Sequence, residues 1–348
     1  MKKIIALLLC IVLIVPFGLM TGCSDENVLT IYNWGDYIAD GVIDKFTEET
    51  GVKVRYTTFD TNEIMYTKVT NSDLGSYDIV IPSDYTVHKL RDADMLEKLD
   101  FSNIPNYQYI GDNFKNLPFD PDNEYSVPYM WGTLAIVYDT TKVDDPVDSW
   151  DILWNEKYEK QIFMMDSVRD SIGISLKRLG YTMNSTNDEE IAEAKQELIN
   201  QKPLVLAYTG DEVKDKMVAG EAALAVVYAG DGVTIVEQNP NMALAIPSEE
   251  GSNYFVDSMC ILKGSKHKEA AEQFINFMCR EDIAEMNREA INYSSPQTQV
   301  MANLPADMLC RDAMYPSDEI IEKCDVFAFL DKYESIYIDT WTQVIAAN

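Results

Sequence analysis

The sequence predicts an α/β fold in two lobes, and three observations carry that prediction. Strand-type runs alternate with helix-period segments along most of the chain, the pattern of an open sheet covered by helices. The alternation occurs twice, over 28–96 and again from 161 onward, with a loop-rich stretch and a long apolar run at 125–138 between. At 348 residues the chain exceeds one domain of ordinary size and suits two.

Residues 1–22 read as a targeting segment rather than as part of the fold. Lys2 and Lys3 precede an apolar run at 4–20, and Thr21-Gly22-Cys23 follows. That run sits at the lower length limit for a membrane-spanning helix. It ends in small residues directly before a cysteine, and Ser24-Asp25-Glu26-Asn27 is polar. Leu19-Met20-Thr21-Gly22-Cys23 resembles a bacterial lipoprotein lipobox, with Met20 where leucine is more usual. The resemblance implies cleavage before Cys23, lipidation of its sulfur, a tether at 23–27, and a protein held on the outer side of the cytoplasmic membrane.

The first lobe begins with a strand at 28–34. Val42, Ile43 and Phe46 recur at helical spacing, and Gly51 stops that helix. A strand at 52–59, a helix at 62–69, a buried parallel-type strand at 77–81 and a helix at 86–96 follow. Ligands of such sheets bind at the carboxyl ends of the strands. Two segments stand there, Trp34-Gly35-Asp36-Tyr37 and Ser83-Asp84-Tyr85. The first presents two aromatics and a carboxylate within four residues; aromatic faces attract cations and a carboxylate gives the cation a partner. Taken alone it reads equally as a strand end with a Gly-Asp turn and two half-buried rings.

Pro105, Pro118 and Pro121 mark 101–123 as loop, and 125–138 reads as a strand in which Gly132 allows a bend between lobes. A short helix at 149–154 leads into the second lobe. There the expected order is strand 161–165, a helix from Asp166 to 179, and a charged helix 189–200. Strands 204–209 and 223–228 then flank a helix at 211–218, and a strand at 242–246 follows. Residues 254–262 run apolar with one acid, Asp257, in their middle. Ala271, Phe274, Ile275 and Met278 form the apolar face of a helix at 268–279. The next helix ends at 291, and the C-terminal helices are expected at 317–323 and 330–345.

Composition narrows the function. Acidic side chains number 58 against 28 basic, a net charge of −30 that repels nucleic acid and anionic headgroups and favours cationic small molecules. Enzyme signatures are missing from the sequence. There is no P-loop and no G-x-S-x-G elbow, and Gly230-Asp231-Gly232 lacks the third glycine of a dinucleotide fingerprint. His88 and His267 are too few for a histidine metal cage, and Cys260, Cys279, Cys310 and Cys324 contain no C-x-x-C pair, so neither metal nor cofactor is expected. Those four cysteines suit disulfides or buried thiols. A surface glycoside hydrolase using two of the many acids is the rival from another class.

Asp257 resists a bland explanation. A carboxylate inside an apolar strand must be paired, by an internal Arg or Lys or by a ligand. Ser167 and Asp170 have the S-x-x-D spacing of a helix capping box, which is compatible with ligand contact as well.

The chain resembles the solute-binding lipoproteins of ABC importers, specifically the spermidine/putrescine-binding proteins. The resemblance runs through Tyr32-Asn33-Trp34, Phe46-Thr47-Glu48-Glu49-Thr50-Gly51, Tyr77-Asp78-Ile79-Val80-Ile81-Pro82-Ser83 and Pro118-Phe119-Asp120-Pro121. It continues in Tyr125-Ser126-Val127-Pro128-Tyr129-Met130-Trp131-Gly132, Phe255-Val256-Asp257-Ser258 and Tyr293-Ser294-Ser295-Pro296. It implies a periplasmic-binding-protein-like fold with a hinged cleft, lobe 1 being 28–134 with 256–301 and lobe 2 being 135–255 with 302–348. It also implies a polyamine ligand, a permease with its ATPase subunit as partners, a monomer, and no catalysis.

Carried over to this chain, the resemblance makes Trp34, Tyr37 and Tyr85 aromatic walls with Ser83 a polar contact beside them. Asp36 is then an acid for one end of the ligand, and Asp257 the central acid. Tyr228 and Phe255 stand where relatives often carry tryptophan, and Tyr293 matches directly. Asp170 aligns with a glutamate for the far ammonium, whereas Ser167 replaces an aspartate and Phe327 a glutamine. One anionic and one amide contact are thereby lost, which leaves putrescine against spermidine open. Another cationic or metal-complexed solute is the nearer alternative.

Overall fold

The structure is a computed structural model, and it describes residues 28–347. The expected signal segment, Cys23 and the tether lie outside the described residues. Nine strands are present among the described residues: β1 (Val28–Trp34), β2 (Lys53–Phe59), β3 (Ile79–Val80), β4 (Ser126–Asp139), β5 (Ile162–Met165), β6 (Val205–Thr209), β7 (Leu224–Tyr228), β8 (Met242–Ala245) and β9 (Tyr254–Ile261). Their order is β2-β1-β3-β9-β4-β7-β5-β6, with β8 also on β4.

Two parallel trios lie at the ends of this order. β1 pairs in parallel with β2 and β3, and β5 pairs in parallel with β6 and β7. β4 joins them. Its first half lies antiparallel to β9, from Ser126↔Cys260 to Thr133↔Tyr254, and its second half lies antiparallel to β7 from Leu134↔Tyr228 onward. The apolar core divides at the same place. Ile31, Phe46, Ile79, Val127, Val256 and Phe274 belong to one cluster, and Leu134, Ile136, Trp150, Ile162, Ile174 and Leu224 to another.

Gly132 sits one residue before this changeover, and its role differs from a simple bend. A Cβ there would stand 2.9 Å from Cζ of Phe255, so the bare backbone makes room for that ring.

Most expected elements appear within a few residues, and the departures have local causes. The strand expected at 77–81 pairs only at Ile79–Val80. Next to it, the buried Asp78 carboxylate accepts from the backbone N–H of Thr30 at 2.8 Å and from the Ser265 hydroxyl at 2.6 Å. The next helix is Asp84–Asp92, earlier at both ends than expected, with Ser83 as its N-cap. Residues 150–154 form a 3-10 helix, and the C-terminal pair contracts to Asp318–Ile321 and Tyr333–Ala346. The helix Ala229–Gln238 was not expected at all. Its glycines argue against a helix locally, but both meet tertiary neighbours. A Cβ on Gly230 would lie 2.2 Å from the Tyr293 ring, and one on Gly232 would lie 2.3 Å from Leu244.

Candidate functional site

β9 carries the central group. The Asp257 side chain is 5% exposed, and both of its oxygens are held by hydroxyls. Tyr37 donates to Oδ2 at 2.6 Å and Ser83 donates to Oδ1 at 2.7 Å. The internal Arg or Lys that would balance it is not among its described partners. Burial pushes its carboxyl up to about 6, although the two hydroxyls pull the other way.

The turn after β1 aims Tyr37 at this carboxylate. Asp36 takes a left-handed φ of 45°, tolerated by Asp better than by most residues, and reverses the chain there. The Tyr129 hydroxyl then donates to the Tyr37 carbonyl at 2.7 Å, and the Tyr37 ring meets Tyr129 and Tyr293 edge-on at 5.5 and 5.1 Å. Asp36 itself is exposed, and Trp34 is half-buried against Phe59 with ring centroids 4.6 Å apart. The Trp34 Nε1–H is buried without an acceptor.

Ser83 is fixed from the other direction. Its N–H donates to Asn62 Oδ1 at 3.2 Å, while Asn62 Nδ2 donates to the Tyr85 hydroxyl at 3.0 Å. That hydroxyl donates in turn to Glu63 at 3.2 Å. Between Ser83 and Tyr85 lies Asp84, fully buried, accepting from the N–H groups of Tyr85 and Val256. Desolvation raises its carboxyl to about 8, so it is predominantly neutral at pH 7.

The second carboxylate comes from beyond the changeover in β4. Asp170 is 4% exposed and accepts from the hydroxyls of Ser167 at 2.6 Å and Tyr228 at 3.0 Å. Ser167 also caps the helix Val168–Arg178 by accepting from the Asp170 N–H at 3.5 Å, so capping and carboxylate contact coexist. Burial raises the Asp170 carboxyl too.

Rings connect the two halves. Tyr228 meets Phe255 at 5.3 Å, Phe255 meets Tyr293 at 6.2 Å, and Tyr85 meets Phe327 at 6.2 Å. The predicted residues thus form one network, from which only Asp36 and Trp34 stand apart. Sequence reasoning missed several neighbours. Arg169 stacks over Phe327 at 4.4 Å and faces Tyr85 and Tyr337, and it is tied to the Ala328 carbonyl and the Asn184 side chain. Asp231 acts electrostatically on Tyr293 and is paired with Lys214 at 3.5 Å. Asn62, Glu63, Asp84 and Tyr129 were missed as well. Arg169 stands directly before Asp170, Asp84 between Ser83 and Tyr85, and Tyr129 within the matched stretch 125–132, but each side chain has a partner far away in the chain.

Such an arrangement is chemically suited to a cation. The described hydrogen-bond partners of both buried carboxylates are hydroxyls, with Arg169 acting electrostatically on Asp170, and aromatic faces between them suit methylene groups and ammonium ions. Among the described residues no group of three or more His, Cys, Asp or Glu is placed to hold a metal ion, no helix is long and apolar enough to cross a membrane, and the four cysteines are free.

The packing of Gly230 under Tyr293 makes a sharp prediction. An alanine Cβ would also lie 2.8 Å from the Asn292 carbonyl, which cannot rotate away as a side chain can. Gly230→Ala should displace Tyr293 and weaken ligand binding about tenfold, a loss of about 1.4 kcal/mol read by titration calorimetry. Unchanged affinity would mean that Tyr293 is no part of the site.

Residues 41–319 match the family of bacterial extracellular solute-binding proteins. The spermidine/putrescine-binding periplasmic protein of Escherichia coli is 35% identical over 319 residues, covering 90% of this chain and 91% of that protein. The crystal structure of the spermidine/putrescine ABC transporter substrate-binding protein PotD from Streptococcus pneumoniae is 39% identical, with a TM-score of 0.81 over 92% of this chain and 98% of its own. A lipoprotein of Treponema pallidum, TpPotD, is 27% identical with a TM-score of 0.82, over 91% of this chain and 99% of its own.

Proposed function

This chain belongs to the family of bacterial extracellular solute-binding proteins, and from that premise we propose that it is the polyamine-binding component of an ABC importer. Family and relatives are binding proteins rather than enzymes. Asp257 is the observation that carries the polyamine reading. A buried carboxylate whose described partners are two hydroxyls is left with a charge that an ammonium group would balance.

Asp257 takes one ammonium and Asp170 another, with Tyr37, Tyr85, Tyr228, Phe255 and Tyr293 as the walls over the methylenes and Trp34 at the edge. Ser83 and Ser167 orient the carboxylates, and Phe327 closes the wall beside Tyr85. Each cation–π contact contributes about 0.5–2 kcal/mol, more as the cleft becomes dry. The lobes are 28–134 with 256–301 and 135–255 with 302–348, and closure is a hinge motion through β4 and β9. The division of both pairing and core near Leu134 supports that boundary. The ion pair of Lys89 with Glu334 at 2.6 Å supports a closed arrangement.

A lipid on Cys23 anchors the protein outside the cytoplasmic membrane, where it delivers ligand to a permease driven by an ATPase subunit. The lipobox-like Leu19-Met20-Thr21-Gly22-Cys23 and the similarity to a Treponema lipoprotein support the anchor. A single chain supplies both walls of the cleft, which supports action as a monomer.

A thermal-shift panel tests the reading. Putrescine or spermidine at 100 times its Kd should stabilise the protein by about 2.7 kcal/mol. A shift with a sugar or an anion, and none with putrescine, cadaverine, spermidine or spermine, would overturn it.

A further inference from the structure

We propose that Lys214 is a specificity-determining residue, a resident cation that closes one end of the cleft and restricts the ligand to a diamine. The inference rests on the polyamine reading above and names which polyamine the site takes. Lys214 lies on the helix Val213–Val218, and its ammonium pairs with Asp231 at 3.5 Å; both side chains are largely buried, 24% and 14% exposed. Asp231 in turn acts electrostatically on the Tyr293 hydroxyl. The backbone of Gly230 presses on the Tyr293 ring and so fixes Asp231 beside it. Tyr293 also packs edge-on against Tyr37, the residue that donates to Asp257. A short path therefore leads from the central carboxylate through Tyr37 and Tyr293 to Asp231 and the lysine.

The acids at this end are already served. Asp231 faces Lys214 directly, and Asp36 and Asp211 act on the same ammonium electrostatically from the turn after β1 and from the loop after β6. A third ammonium reaching past Asp257 in this direction would meet a like charge in a partly buried setting, where screening is weak. At the other end Asp170 accepts from Ser167 and Tyr228, and the nearby Arg169 guanidinium is tied instead to the Ala328 carbonyl and Asn184. Two ammonium groups then find a carboxylate held by hydroxyls, one at Asp257 and one at Asp170, while a third would compete with Lys214 for Asp231.

The experiment is titration calorimetry of the protein with putrescine, cadaverine and spermidine, on the wild type and on Lys214→Met. The wild type should bind putrescine at least tenfold tighter than spermidine. Lys214→Met, which keeps the stem and removes the charge, should shrink that preference at least tenfold by freeing Asp231 for a third ammonium. A wild type that binds spermidine as tightly as putrescine overturns the inference without any variant, so a misfolded variant does not protect it. A diamine preference that survives in Lys214→Met removes Lys214 from the specificity. If the wild type binds none of the three amines, the polyamine reading fails first and this inference with it.

Discussion

Asp257→Asn is expected to raise the Kd for putrescine by at least about 30-fold while leaving the unliganded fold close to its original stability. The two halves of this result have different causes. Removing one partner of a buried, hydrogen-bonded charge pair costs about 2–5 kcal/mol of binding, and each 1.4 kcal/mol is a factor of ten. Without ligand, however, the ionised carboxylate is itself a burden. Its carboxyl titrates near 6 rather than near 3.8, so holding it charged at pH 7 costs the fold about 3 kcal/mol. Asparagine removes that cost and keeps one amide oxygen to accept from a hydroxyl, losing acceptance from only one of Tyr37 and Ser83, worth about 1 kcal/mol. The melting temperature of the unliganded variant should therefore lie near or above that of the wild type. A variant that binds normally would make Asp257 structural. One that loses stability as well as affinity would show that the hydroxyl network, rather than ligand charge, is what Asp257 serves.

The second large effect is on pH. Polyamine ammonium groups stay protonated through the acid range, so the carboxylates govern the titration. Asp257 with its carboxyl near 6 must be ionised to bind, and affinity should be flat above pH 7 and fall up to tenfold per unit below 6. Between pH 7.5 and 4.5 Asp257 alone accounts for a loss of about 30-fold, and Asp170, raised in the same direction, steepens it. Stability runs the other way. A carboxyl whose pKa is raised on folding favours the folded state fully below about 3.8, and that contribution is lost as pH rises through about 6. Relative to Asp257→Asn, the unliganded wild type should thus gain stability on acidification while it loses ligand affinity. Calorimetry and melting curves of both proteins at pH 7.5, 6 and 5 check the two signs. Affinity independent of pH over this range would mean that neither carboxylate meets a ligand charge.

Much of the fold was legible because periodicity is local. The alternation that predicts β1, β2 and β5 to β7 depends only on neighbours in sequence, as does the stop of the first helix at Gly51, which adopts φ 74°. The helix Ala229–Gln238 was not legible, because two glycines lower helix propensity locally. Their reason, contact with Tyr293 and Leu244, lies 63 and 12 residues away along the chain. Gly132 reads as a bend for the same cause: the ring it accommodates belongs to Phe255.

The site divides along the same line. By itself the sequence determined that Asp257 needed a partner, since any fold that buries an apolar strand takes its one carboxylate out of water. The acidic balance and the absence of catalytic motifs likewise followed from residues alone. Only the tertiary structure decided that the partners inside the protein are hydroxyls, that Tyr228 and Asp170 face this strand across the change in β4, and that Lys214 stands beside Asp231. Charge and hydropathy are properties of residues and survive without a fold. Which charge meets which depends on elements far apart in the chain being brought within hydrogen-bond range, and that is fixed only by packing.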